Sequence, residues 1–191
     1  IISGGYNIYP REIEDVIAFI GAVKYRPLKG RKLIRILHGE EKPSEELKQY
    51  LMKHNSNNTL ILNVESQKGV ESMNEFTSIQ TLDGPGVDGL IIGPHDLSTS
   101  FDMPEQYKSK AFLDLSCGII KNARSKGIAA GGHTGYRDSL DLQVEWAKAG
   151  ANIILHCSDA YLSANQLNND LNQIKKCVGD QQHLNTSTES I

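Results

Sequence analysis

Two carboxylates in this 191-residue chain stand where chemistry is done in α/β proteins. Glu65 follows the apolar run LILNV at residues 60–64, and Asp96 comes shortly after GLIIG at 89–93. If both runs are strands of one parallel sheet, the residues just past their ends share a rim, and ligands bind at that rim. Two carboxylates, several waters and an oxyacid make a shell suited to Mg2+ or Mn2+. Two readings of Asp96 stand at this point: an N-cap for the helix that follows, or a metal ligand together with Glu65. Gly93 and Pro94 form a strand-to-helix turn. The backbone N–H groups of His95 and Asp96 at that helix start would suit a carboxylate.

The histidines are less constrained. His95 flanks the acid and could point away from it. His133, in GGHTG, falls at the end of a third strand. There it could contact substrate or transfer a proton, or it could be a loop histidine bonded to backbone. His156 and Asp159 fall at the end of a fourth strand. Asp88, ahead of GLII, opens its strand at the opposite rim and is left out of the site.

These residues need a scaffold of alternating strands and helices, and residues 59–180 supply the pattern. Strands are expected at 60–64, 87–92, 128–132 and 151–155. A helix is expected over 70–79, with Val70, Met73, Phe76 and Ile79 on one face. Another starts at Pro104 and Glu105, carries Phe112, Leu115, Ile119 and Ala123 inward, and ends at Gly127. The next starts at Asp138 or Ser139 with Leu140, Val144 and Ala147 inward, and the last carries Leu167, Leu171, Ile174 and Val178. Strand–helix alternation with short connections means a parallel sheet with right-handed crossovers. The fold class is therefore α/β, a partial (β/α) barrel of the TIM type. Four units are half of an eight-unit barrel and leave two parallel edges to be covered, by residues 1–58, by a partner subunit or by further barrel.

Residues 1–58 read as a separate, small α+β segment. It has a helix after Pro10 with Ile13, Val16, Ile17 and Ile20 on one face, short β-like runs on either side of the Lys29-Gly30 turn, and a helix capped by Ser44. Residues 181–191 read as a polar tail. Apolar residues are 39% and charged residues 23% of the chain, as in a soluble globular protein. The net charge of −3 gives no basic face for nucleic acid. No apolar run is long enough to cross a membrane. IISGGYNIYP lacks the features of a signal peptide and reads as the interior of a longer protein. Cys117, Cys157 and Cys177 have neither zinc nor redox spacing and read as reduced thiols of a cytoplasmic protein.

Two resemblances add to this reading. SGGYNIYPREIEDVI, with the later LHGEEKPSEELKQYLMKH, resembles the C-terminal domain of AMP-forming acyl-CoA synthetases. That resemblance makes Gly4, Gly5 and Tyr6 loop residues on the CoA path and implies a ligase fragment over about residues 1–56. LNVES, GVDGLIIGPHDLSTSFD, GIAAGGHTG and WAKAGANIILHCSDAYL resemble the C-terminal half of the HpcH/HpaI aldolases, metal-dependent class II pyruvate aldolases on a barrel. By that resemblance Glu65 and Asp96 are the protein ligands of a divalent cation, Mg2+ or Mn2+. The backbone of Gly93, His95 and Asp96 holds the carboxylate of pyruvate or a related 2-keto acid. Asn63 stands where the family often has Gln. The implied reaction is reversible C–C cleavage, in which the metal chelates the keto acid and stabilises its enolate. The family's arginine and histidine from the first half of the barrel have no counterpart in residues 1–58. A homo-oligomeric lyase is expected, with a ligase fragment or a non-catalytic metal-binding or assembly module as alternatives.

Overall fold

The computed structural model describes residues 13–134 and 139–179. The Gly4, Gly5 and Tyr6 loop, Pro10 and the 181–191 tail lie outside the described residues. Two compact units are present, one through Leu155 and one from His156. The boundary expected at residue 58 does not coincide with theirs: residues on both sides of it share one core, Val16, Ile20 and Leu51 with Leu62, Leu90 and Trp146.

The first unit opens with three helices, α1 (Ile13–Lys24), α2 (Gly30–Leu37) and α3 (Glu45–Asn55). The β-like runs expected around Lys29-Gly30 are therefore helical, and the described part of this segment is all-α. The reason is packing: Leu33 and Ile36, three apart, are both buried. The α1 residue Gly21 lets Leu33 approach so closely that a Cβ there would overlap the leucine side chain. Ser44 caps α3 by accepting from Leu47 N–H at 3.2 Å, as expected.

After α3 the alternation begins. Its elements are β1 (Ile61–Val64), α4 (Gln67–Glu71), α5 (Met73–Phe76), the hairpin strands β2 (Gln80–Thr81) and β3 (Gly84–Pro85), β4 (Gly89–Ile92), α6 (Pro94–Ser100), α7 (Lys110–Ser125), β5 (Ala129–His133), α8 (Leu140–Lys148) and β6 (Ile153–Leu155). β1, β4, β5 and β6 form a four-stranded sheet in that order, every pair parallel. In place of the expected 70–79 helix there are two short ones, α4 starting earlier where Ser66 accepts from Gly69 N–H, and α5 ending at Phe76. The long helix starts at Lys110, where Ser109 accepts from Phe112 N–H, not at Pro104.

Alternation divides the sheet into two faces. Leu62, Val64, Leu90, Ile92 and Ala130 are buried on one and join the core with Phe112, Ile120 and Trp146 of the helices. The other carries Ile61, Asn63, Ile91, Ala129 and Ile153, all half-buried. In α8 the expected inward set of Leu140, Val144 and Ala147 is wrong. Leu142, Gln143 and Trp146 are buried, while Leu140 is 62% exposed. Trp146 determines the rotation: its ring lies against Gly132, where a Cβ would overlap it.

The register is anchored at the N-terminal rim by Asp88. Its carboxylate accepts from Lys24 Nζ at 2.8 Å and from Leu60 N–H at 2.7 Å. Its backbone N–H donates to Leu60 O and its carbonyl accepts from Ala129 N–H, both at 2.9 Å. One residue thus joins α1 and three consecutive strands.

The second unit contains α9 (Asp159–Cys177), capped by Ser158, which accepts from Tyr161 N–H. None of its residues is buried. Leu167, Leu171, Ile174 and Val178, expected to face inward, are exposed. Among the described residues no helix is long and apolar enough to cross a membrane.

Two predictions follow from this packing. Asp88→Ala leaves Leu60 N–H and the Lys24 ammonium without their acceptor, and should cost about 2–4 kcal/mol in urea unfolding, with Asp88→Asn costing less. Burial pushes the Tyr25 phenol above the ordinary 10.0, despite the Leu82 N–H that donates to it. Between pH 10 and that higher value the folded chain keeps a proton that the unfolded chain has released. Thermal stability should therefore fall as pH rises through this window, and Tyr25→Phe should remove that component of the fall.

Candidate metal and substrate site

Each member of the site lies at the C-terminal rim of the parallel sheet. Val64 pairs with Ile92 and Ile92 with Gly132, so Glu65, Gly93 and His133 each come one step later at the same level. Three residues far apart in sequence are brought together by register alone. Asn63 lies one pleat below Glu65 on the same face.

Glu65 is buried, 4% exposed, at the end of its strand. Its Oε1 accepts from Asn63 Nδ2 at 3.2 Å and lies 3.7 Å from His133 Nε2. Its Oε2 is buried and has no hydrogen-bond partner among the described residues. A buried carboxylate oxygen without a donor is costly, and such atoms signal an unfilled role. Gly93 makes the position possible: a Cβ on Gly93 would overlap Oε1 of Glu65. The glycine is needed here for space. Its φ is −93° and strains nothing.

Asp96 is exposed, in the first turn of α6. Pro94 at the first helical position suits a helix start. Gly93 is the N-cap and makes no side-chain cap bond, so the N-cap reading of Asp96 is excluded. Leu97 N–H donates to Gly93 O at 3.0 Å and closes the first turn. Gln67 N–H, at the start of α4, donates to Ser100 Oγ, at the end of α6, at 2.7 Å.

His95 points elsewhere. Its Nδ1 lies 3.2 Å from the Tyr107 hydroxyl. Tyr107 escaped the sequence reading because nothing in its own segment marks it. It shares the rim with α6, and burial pushes its phenol up, with the charges of Glu105 and Asp96 adding to the effect.

His133 is held at its base. It is opposite Leu155 in the sheet, and Thr134 N–H donates to Leu155 O at 3.1 Å. Gln143 Nε2 donates to Thr134 Oγ1 at 2.6 Å and to Ser139 Oγ at 3.1 Å, all three residues being buried. The imidazole itself is 48% exposed and open to the rim. Asp88 lies just before β4, at the far rim, as expected. His156 and Asp159 belong to the second unit.

The residues present suit a divalent cation in one respect: a buried, partly unsatisfied carboxylate in a glycine-lined cradle. They do not form a closed cage. Among the described residues, no group of three or more His, Cys, Asp or Glu side chains is arranged to hold a metal ion.

Comparison with known proteins identifies the lineage. The HpcH/HpaI aldolase/citrate lyase family signature matches residues 12–180. A 2-keto-3-deoxy-L-rhamnonate aldolase of Escherichia coli K12 is 28% identical over 129 residues, which are 68% of this chain and 45% of that enzyme. The chain thus spans under half the length of the curated relatives it matches. Among solved structures, an HpcH/HpaI aldolase from Desulfitobacterium hafniense DCB-2 superposes with a TM-score of 0.62 at 21% identity, over 86% of this chain and 61% of that one. An HpcH/HpaI aldolase/citrate lyase family protein from Burkholderia cenocepacia J2315 gives 0.61 at 18% identity, over 86% and 62%. These two show a shared fold. The signature runs through α1, α2 and α3, the segment likened above to acyl-CoA synthetases, and that likeness finds no support. From its parallel sheet to its rim glycine, this chain belongs to the HpcH/HpaI aldolase/citrate lyase family.

Proposed function

We propose that this chain is the C-terminal half of a class II aldolase, with its four parallel strands forming half of an eight-stranded barrel. It is a carbon–carbon lyase acting on a 2-keto acid such as pyruvate or its aldol adducts. The observation that carries this reading is Glu65: a buried carboxylate at a strand end, with one oxygen that has no partner among the described residues, beside a glycine that leaves it room. Glu65 and Asp96 hold a divalent cation, Mg2+ or Mn2+, which when bound would draw electrons from the keto acid and stabilise negative charge at its carbonyl oxygen. The backbone at Gly93, His95 and Asp96 receives the substrate carboxylate. Asn63 positions Glu65 through its 3.2 Å bond and leaves the carboxylate's other oxygen free. Three free thiols suit a reducing compartment such as the cytoplasm.

The same reading includes self-association. β1 and β6 are the edges of the sheet, and Leu155 and Ile154 beside one edge are 49% and 39% exposed. A homo-oligomer that covers these edges should appear as a concentration-dependent rise in sedimentation coefficient.

Melting temperature tests the site directly. Mn2+ with pyruvate should raise the melting temperature of the chain by several degrees. Asp96→Ala should abolish that rise while the variant keeps its fold by circular dichroism. Gly93→Ala, which drives a methyl group into Glu65, should lower the metal-free melting temperature as well as abolish the rise. No shift in the unmodified chain would refute the proposal. Release of pyruvate from a 2-keto-3-deoxy sugar acid would establish the lyase reaction itself.

A further inference from the structure

We infer that the groove between α1 and α2 binds a small organic phosphate, a phosphate head joined to a compact apolar body. The groove uses no residue of the rim, and its occupant is independent of the reaction proposed there. Its volume is about 430 Å3, within the roughly 300–1,000 Å3 usual for small-molecule sites. Its apolar wall comes from Ala18 and Ala22 of α1, Pro27 and Leu28 of the turn, and Leu33 of α2. The two alanines lie one helical turn apart and are exposed, so their short side chains leave a space that larger ones would fill. Leu33 is seated there by its fit against Gly21.

The charge on the groove has one sign. Residues 26–32 hold four cations and no acid, in a chain of net charge −3. Arg26 and Lys29 line the groove, and Arg31 and Lys32 follow in the first turn of α2. None of these four side chains has a hydrogen-bond or ion-pair partner among the described residues. Lys24 and Arg35, on either side of them, are paired with Asp88 and Glu41. α2 has no acid in its first turn, and its N-cap Lys29 makes no side-chain cap bond. Cations beside the positive end of a helix are repelled by it, so the arrangement is unfavourable until an anion joins it. Gly30 leaves the way open: its φ is +60°, and nothing stands within 4 Å of where a Cβ would lie.

These two halves select the ligand. An uncharged apolar molecule would leave the cations crowded at one helix end. A bare inorganic anion would leave the apolar wall in water. A carboxylate brings a single charge, whereas a phosphate head brings about two charges and three acceptor oxygens. Those oxygens suit the Arg26 guanidinium, the Lys29 ammonium and the backbone N–H groups at the start of α2 together.

The test titrates decyl phosphate, decanoate, decanol and inorganic phosphate separately into the whole chain by calorimetry, each amphiphile below its micelle concentration. The proteins are the unmodified chain, the double variant Arg26→Gln/Lys29→Gln, Ala22→Trp, Ala18→Phe and, as a distant control, Lys110→Gln. Circular dichroism confirms the fold of each. The site predicts saturable one-to-one uptake of decyl phosphate, with the other three compounds weaker by about tenfold or more. The charge variant should lose a similar factor, and either groove-filling variant should abolish uptake, while Lys110→Gln changes nothing. Absence of decyl phosphate uptake by the unmodified chain would overturn the inference. So would uptake that survives the charge variant or both groove-filling variants, and so would equal binding of decanol or decanoate. Inorganic phosphate bound as tightly as decyl phosphate would mean an adventitious ion only. A sedimentation coefficient that rises with concentration in the unmodified chain but not in Ala22→Trp, without uptake of decyl phosphate, would give the groove to a second copy of the chain instead.

Discussion

The structure depends on one residue holding strands in register. Asp88 bonds through its side chain and through both backbone groups, and its partners come from α1 and from the strands on either side of β4. In a parallel sheet a one-residue slip reverses the face of every side chain in the strand. Here a slip of β1 against β4 would carry Glu65 off the face it shares with Asn63 and away from Gly93. The chemistry of one rim is thus set by an ion pair at the other, about one strand length away.

Around Glu65 the design is one of removal. The carboxylate has room because Gly93 has no side chain, and among the described residues Asn63 donates to one of its oxygens while the other has no partner. A folded chain bears such a cost when a ligand repays it on binding. The helices that follow β1 and β4 are tied together, the start of α4 at Gln67 to the end of α6 at Ser100.

Much of this was legible from residue types. The strand at 60–64, the acid that ends it, the Gly-Pro turn and Gly127 at the end of α7 all declare themselves through local rules. Local rules failed where tertiary contacts decide. The α2 segment, LIRIL, alternates well enough to read as a strand, and only the fit of Leu33 against Gly21 makes it a helix. In α8 both Leu140/Val144 and Leu142/Trp146 offer apolar stripes, and Gly132 accepts the ring of Trp146, which settles the rotation. The nearness of His133 and Glu65 could not be read at all. It arises from strand register across sixty-eight positions, to which no local pattern gives access. The resemblance to synthetases misled for a related reason: a short matching motif says nothing about the helices that follow it, and those helices pack as part of the aldolase-family fold.

Trp146 gives the chain a property of its own. It is the one tryptophan in the sequence, fully buried, with its ring against Gly132, the residue next to His133. The intrinsic fluorophore of this protein therefore lies under the floor of its rim, in an apolar setting that shifts its emission toward the blue. Any event that displaces the end of β5 is reported by light from that single ring, without a label and without a substrate that absorbs.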